Sequence, residues 1–139
     1  MAAPGVLDLR IPSDVQHIEG IVAQVVRRCA EHRFAGRQLT LNVPVALTEA
    51  LSNAILRGNG EGGGKEVRIR AEFVDGQVVL EVEDEGGGFD LAECTSDPTT
   101  AENLEREDGR GLYLMQALMD RVERFRGSGN VVRLTLIRR

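Results

Sequence analysis

Apolar residues recur along this chain in two rhythms, and the changes of rhythm divide it into elements. Val6, Leu7, Leu9 and Ile11 make a short strand that stops at Pro12. Ser13 or Asp14 then stands where a helix wants its N-cap. Val15, Ile18, Ile21, Val22, Val25, Val26 and Cys29 follow at helical spacing, with Gln16, Glu19, Arg27, Arg28 and Glu31 on the other side. That pattern predicts a helix to about Phe34, stopped by Gly36. A second helix begins near Asn42 to Pro44, where asparagine can cap and proline suits the first turn. It runs through Arg57 and ends at Gly58, with Leu47, Leu51, Ala54 and Ile55 as its core stripe.

The rhythm then shortens to two. Beyond the glycine-rich connection Asn59 to Gly64, Val67, Ile69, Ala71 and Phe73 alternate strictly up to Asp75-Gly76, and Val78, Leu80 and Val82 alternate after it. This is a β-hairpin with one buried face. From Leu91 to Asp108 no apolar period survives, and a loop of that length inside one domain is either functional or a surface insertion. A third helix starts at Gly109-Arg110-Gly111 and continues through Ala117, Leu118 and Met119. Val122 to Arg126, a turn at Gly127-Ser128-Gly129-Asn130, and Val132, Leu134 and Leu136 form a second hairpin.

Three places in this layout carry chemistry. Asp84-Glu85-Gly86-Gly87-Gly88-Phe89 closes the strand ending at Val82. Its aspartate offers a fixed acceptor, and glycines lacking Cβ let the backbone approach something flat or charged. Glu49 and Asn53 stand four apart, one above the other on one helix face. The carboxylate can orient or deprotonate a hydroxyl, and the amide oxygen can ligate a hard cation such as Mg²⁺. Gly109 and Gly111 open a helix whose free N–H groups can cradle anionic oxygens, with Arg110 adding a charge for phosphate. Each feature has a plainer reading as well: a glycine-rich turn, a polar pair on a solvated face, and a surface arginine.

At 139 residues the chain reads as one domain, 1–139, long enough to bury a core without staples. A formal net charge of −5 and the scarcity of aromatics (no Trp, one Tyr) argue against nucleic acid as the main partner. Cys29 and Cys94 form neither a metal spacing nor a disulfide framework, and Cys29 falls on a core face. His17 and His32 have no partner at relay spacing. No stretch of 18 apolar residues occurs, so the expectation is a reduced, cytoplasmic protein with no membrane segment.

An acid/amide helix, Asp-x-Gly-x-Gly at a strand end, and Gly-x-Gly at a helix start, in that order, resemble the histidine kinase-like (GHKL) ATPase superfamily. The likeness runs from about Leu7 to Ile137. It is closest to the anti-sigma regulatory factor serine/threonine kinases. Glu49-Ala50-Leu51-Ser52-Asn53-Ala54-Ile55 resembles their asparagine box. Asp97-Pro98-Thr99, Glu102-Asn103-Leu104-Glu105 and Gly109 to Met115 resemble their lid and second glycine box.

The resemblance implies an α+β fold, a two-layer α/β sandwich of the Bergerat type. Its mixed, mostly antiparallel sheet would be covered on one face by helices, with a lid loop at about 91–108. It implies ATP and Mg²⁺ as cofactors. Asn53 would hold the Mg²⁺ that bridges the triphosphate, and Glu49 would be the general base. Asp84 would accept from the adenine amino group, Gly86 and Gly88 would let the backbone pass the nucleotide, and Gly109, Arg110 and Gly111 would close over the phosphates. The implied activity is phosphorylation of a serine or threonine on an anti-anti-sigma (STAS) protein. A sigma factor as second partner and a homodimer also follow from the resemblance. Two residues depart from the family pattern. Arg57-Gly58 stands where histidine-glycine is often found, and Gly129-Asn130 replaces the usual glycine-threonine, although an asparagine amide can make a similar hydrogen bond. The rival expectations are a nucleotide-gated binding module that transfers no phosphate, and a detached histidine-kinase catalytic domain. The latter is disfavoured because no helix pair bearing a phospho-acceptor histidine is seen.

Overall fold

Alternation along the strands decides which face of the sheet is buried. The computed structural model of the protein describes residues 5–59, 64–85, 107–127 and 129–139. Five strands, β1 (Val6–Pro12), β2 (Glu66–Val74), β3 (Gln77–Glu83), β4 (Arg121–Arg126) and β5 (Asn130–Ile137), form a sheet of order β1-β2-β3-β5-β4. All four pairings among the described strands are antiparallel. Val67, Ile69 and Ala71 of β2, Val78, Leu80 and Val82 of β3, and Leu134 and Leu136 of β5 point to one face and are buried. The other face is charged. There Arg68 binds Asp8 at 2.6 Å, while Arg133 reaches Glu81 at 2.8 Å and lies 4.6 Å over the Phe125 ring. Exposed pairs of this kind each contribute roughly 0–1 kcal/mol, so that face is solvated and adds little cohesion. The β2–β3 turn carries Asp75 at φ 52° and Gly76 at φ 75°. Two successive left-handed residues are what a two-residue hairpin turn needs to match strand twist.

Among the described residues, three helices cover the apolar face. The Asp14 carboxylate accepts from the Gln16 N–H at 3.0 Å and starts a single 3₁₀ turn, Val15–His17, that runs into α1 (Ile18–Glu31). Ile21, Val25 and Cys29 recur every four residues and are buried. Burial pushes the Cys29 thiol up to about 12, so it is neutral and structural. Helix α1 ends three residues before the expected Phe34. Arg33 adopts a left-handed conformation (φ 72°), and Phe34 turns back into the core, edge-on to Phe73. His32, at this boundary, stacks on the same Phe73 ring at 4.0 Å.

Helix α2 (Val43–Asn53) is preceded by a wide π-type turn, Gln38–Asn42, and followed by another, Ala54–Asn59. The helical path therefore starts about one turn earlier than expected and passes Gly58 by a residue. Asn42 does not cap it. Its amide donates instead to the Leu118 carbonyl at 2.6 Å, and Gln38 donates to the Ile137 carbonyl at 2.8 Å. These two bonds tie the start of the helix to other elements, which explains the early start. The path Gln38–Leu56 is long and apolar enough to cross a membrane by length and composition alone. Here it is the core helix, with Val43, Ala46, Leu47, Ala50 and Leu51 buried. Helix α3 (Glu107–Leu118) packs on α2 and buries Leu112 and Met115. Cys94 lies outside the described residues.

Two aspartates fasten edges of this arrangement. Asp8 is held below the usual carboxylate range chiefly by its hydrogen bond from Arg68, and Asp120 by its bond from Arg139. Asp120 also accepts from the Ile137 N–H at 2.7 Å. With native values depressed, the unfolded chain takes up protons first as pH falls. The stabilisation from both is complete above the ordinary aspartate value of 3.8 and is lost as pH drops through the native values. Urea midpoints for Asp120→Asn should accordingly fall less steeply than wild type between about pH 5 and pH 2.5. Parallel acid limbs would contradict this.

Candidate functional site

Connectivity decides where the candidate residues meet. The Asn42–Leu118 bond joins the start of α2 to the end of α3, so these packed helices run antiparallel. Asn53, at the end of α2, is thus at the same end as the first turn of α3. Helix α3 leads through a short link into β4, whose last residue, Arg126, pairs with Asn130. Strand β3 finishes there too: Glu83 pairs with Val131, and the Asp84 N–H donates to the Asn130 carbonyl at 3.0 Å. The end of α2, the start of α3 and the end of β3 therefore share one end of the sandwich.

At that end the side chains of Asp84 and Asn130 are both buried. Asp84 is 3% exposed and Asn130 is 4% exposed. A buried carboxylate without partners costs several kcal/mol, so its surroundings must supply donors. Asn130 Nδ2 donates to Asp84 Oδ1 at 3.0 Å, and Arg126 Nη1 donates to Asn130 Oδ1 at 3.3 Å. Gly129 makes the close approach possible. A Cβ there would collide with the Asp84 carbonyl oxygen and press on the Glu85 backbone, and the Gly129 N–H donates to Glu83 Oε2 at 3.1 Å. A cleft of about 280 Å³ opens beside these strand ends, walled in part by Arg10, Arg68, Glu83, Asp84 and Gly129.

Glu49 and Asn53 sit one turn apart on α2, both half-buried, as their spacing predicts. Helix α3 begins at Glu107, two residues before Gly109. Gly109 and Arg110 lie in the first turn of α3, and Gly111 follows directly. Residues 107 and 108, assigned to the lid on sequence, belong to this helix. Gly86, Gly88, the rest of the lid and the Arg110 side chain lie outside the described residues. Among the described residues, no three His, Cys, Asp or Glu side chains group to hold a metal. A cation here would take Asn53 together with phosphate oxygens and water, the usual habit of Mg²⁺.

The residue pattern alone assigned neither Arg126 nor Gly129 a role of its own beyond the second hairpin and its turn. The signal for both is the hairpin register. Four residues apart across a tight turn, Arg126 and Asn130 must be cross-strand neighbours.

Comparison with known proteins places the chain in a family. The histidine kinase-like ATPase domain family matches residues 11–136. The chain is 31% identical over 138 residues to a Bacillus pumilus protein named serine-protein kinase RsbW, covering 93% of this chain and 83% of the relative. It is 28% identical over 134 residues to the Bacillus subtilis protein of the same name, with the same coverage. An anti-sigma F factor from Clostridium acetobutylicum is 37% identical over 95 residues, 66% of this chain and 65% of the relative. A crystal structure of RsbU and RsbW domains from Mycobacterium tuberculosis superposes with a TM-score of 0.70. It covers 98% of this chain and 33% of that one at 18% identity, a likeness of fold.

The contact at Gly129 gives a direct test. Gly129→Ala must push the Asp84 backbone aside, whereas Gly127→Ala meets the movable tip of Glu83 at 3.3 Å. Urea unfolding should show Gly129→Ala destabilised by about 1–3 kcal/mol, and Gly127→Ala by clearly less. Equal costs would mean that the Asp84 backbone yields freely.

Proposed function

Because the chain belongs to the histidine kinase-like ATPase family, matched over residues 11–136, we propose that it is a Mg-ATP-dependent protein serine/threonine kinase of the partner-switching type. Its substrate is a serine or threonine of a small anti-anti-sigma (STAS) protein, its second partner is a sigma factor, and it works in the cytoplasm. The relatives named serine-protein kinase and anti-sigma F factor support this reading. The observation that carries it is the convergence at one end of the sandwich. A carboxylate and an amide one helical turn apart, a buried Asp84–Asn130 pair and the amide-rich start of α3 all lie there.

The proposed roles follow from side-chain chemistry. Glu49 orients the acceptor hydroxyl and takes up its proton. The Asn53 amide oxygen ligates Mg²⁺, which supplies charge neutralisation to the triphosphate when bound. Asp84, an acceptor fixed at a strand end, binds the adenine amino group. The backbone at the start of α3, at Gly109, and the charge of Arg110 hold phosphate oxygens with the help of the helix dipole. Gly111 lets the chain pass close by. Gly86 and Gly88 are assigned to the adenine side by the same reading. Most of the rate then comes from positioning and electrostatics.

Incubation with Mg-ATP labelled at the γ-phosphate and the STAS proteins of the same organism tests the activity. Label should move to one of them, and Glu49→Ala should slow transfer by about 10²–10⁴-fold, the usual worth of a general base, while still binding nucleotide. Nucleotide-dependent capture of a STAS protein without transfer would favour a gated binding module instead. Asp84→Asn should weaken ATP by about tenfold or more, roughly the 1.4 kcal/mol or more of a lost charge-assisted hydrogen bond. Unchanged ATP affinity would remove Asp84 from base recognition.

A further inference from the structure

Strand β1 forms one edge of the sheet, and among the described residues only β2 pairs with it. The Phe73 N–H donates to the Gly5 carbonyl at 2.8 Å, and the Ser13 N–H donates to the Lys65 carbonyl at 3.0 Å. Opposed residues of an antiparallel pair alternate between bonded and non-bonded. With Leu7 opposite Ala71, Leu9 opposite Ile69 and Ile11 opposite Val67, the odd-numbered residues bond to β2. Val6, Asp8 and Arg10 therefore turn their N–H and C=O groups to the free edge. Pro12 ends that run, since it has no N–H and its carbonyl accepts from the Asp14 N–H at 2.8 Å.

The side chains at this edge are incompletely covered. Leu7 and Leu9, on the helix face, are only half-buried, whereas Ala71 and Ile69 opposite them are fully buried. On the other face Arg10 stands opposite Arg68, a like charge, and the Asp8 carboxylate is bonded to that same Arg68 at 2.6 Å.

We propose that the β1 edge docks a second copy of this chain, strand against antiparallel strand, about a two-fold axis at Leu9. The run Leu7-Asp8-Leu9-Arg10-Ile11 is complementary to itself in that register alone. Asp8 of each copy meets Arg10 of the other, Leu9 meets its own copy, and Leu7 meets Ile11. The outward N–H and C=O groups of Asp8 and Arg10 then form bonded pairs across the axis. Leu9, between them, falls at a non-bonded pair, where side chains approach most closely. Moving the axis by one residue sets Asp8 against Asp8 or Arg10 against Arg10, and like charges directly opposite destabilise a strand pair. The axis stands perpendicular to the sheet, so both helix layers lie on one side and the two Leu9 side chains leave water together. Such a contact is closed at two chains.

Sedimentation equilibrium on the full chain across the micromolar range tests this without nucleotide, so it stands apart from the kinase reading. Wild type should dimerise. Asp8→Arg and Arg10→Asp each put like charges at both contacts and should each raise the dissociation constant by about tenfold or more. Mixed in equal amounts, the two variants should dimerise with each other, because every contact is then opposite in sign. Cysteines read the register directly. In a Cys94→Ser background, Leu9→Cys should give a disulfide-linked pair under mild oxidation. Leu7→Cys should not, because its two copies stand four residues, about 13 Å, apart along the strands, beyond disulfide reach. A monomeric wild type overturns the proposal, as do variants that dimerise like wild type or a mixture that stays monomeric. Crosslinking at both positions or at neither also overturns it. Growth beyond two chains does so too, being what β1 meeting a different edge would produce. Should a melting curve show Asp8→Arg unfolded, Arg10→Asp and the two cysteine variants decide the matter.

Discussion

A sheet whose strands alternate apolar and charged residues can bury only one face, and the placement of everything else follows from that. Val67, Ile69, Val78, Leu80, Leu134 and Leu136 leave water together only if helices lie across them. The opposite face, with its Asp8–Arg68 and Glu81–Arg133 pairs, is already content in solvent. The described helices must therefore share one side. On that side the short α3–β4 link and the Asn42–Leu118 bond fix their directions. The polar end of the sandwich is the place where the strand ends rise under the helix ends, and it is there that buried polar groups find partners.

The division of labour at that end has a physical logic. Glu49 and Asn53 belong to the central helix, whose neighbouring Leu47, Ala50 and Leu51 are buried against the core, so their backbone positions are rigid. Asp84 and Asn130 belong to strand ends bonded to each other through both main chain and side chain. Groups proposed to do chemistry and groups proposed to choose the base thus rest on different elements. A change in one half need not disturb the other. The wide π-type turn after Asn53 marks where the core helix gives way to the connection leading into β2, and such turns are frequent at functional sites.

Much of this was legible in the residues alone. Period-two patterns identified the strands because one face of an antiparallel sheet is buried. The helical patterns identified three helices, and Asp14 caps as its position promised. The helix ends were less legible, for local reasons that depend on distant partners. Arg33 accepts a left-handed conformation so that Phe34 can pack on Phe73, and Asn42 gives up a capping role to bind Leu118. The site was legible as a set of residue types in order. The replacement of the family's threonine by Asn130 stood out in the sequence, but its bond to Asp84 joins residues 46 positions apart and is visible only in the fold. Arg126 carried no signal of its own beyond hairpin spacing.

The strand order has a consequence for how the molecule is made. Strand β5, last of the five in sequence, lies between β3 and β4 and forms part of the sheet interior. A ribosome-bound chain that has not yet released residues beyond 130 can pair β1, β2 and β3, yet it leaves the free edge of β3 and the underside of α2 exposed. Long-range closure of this kind is slow to form and is open to aggregation until it is complete. The same closure brings Asn130 to Asp84, so this buried polar pair and the finished core arise in one event. An incompletely synthesised chain would have the helix that bears Glu49 and Asn53 but not the Asp84–Asn130 pair.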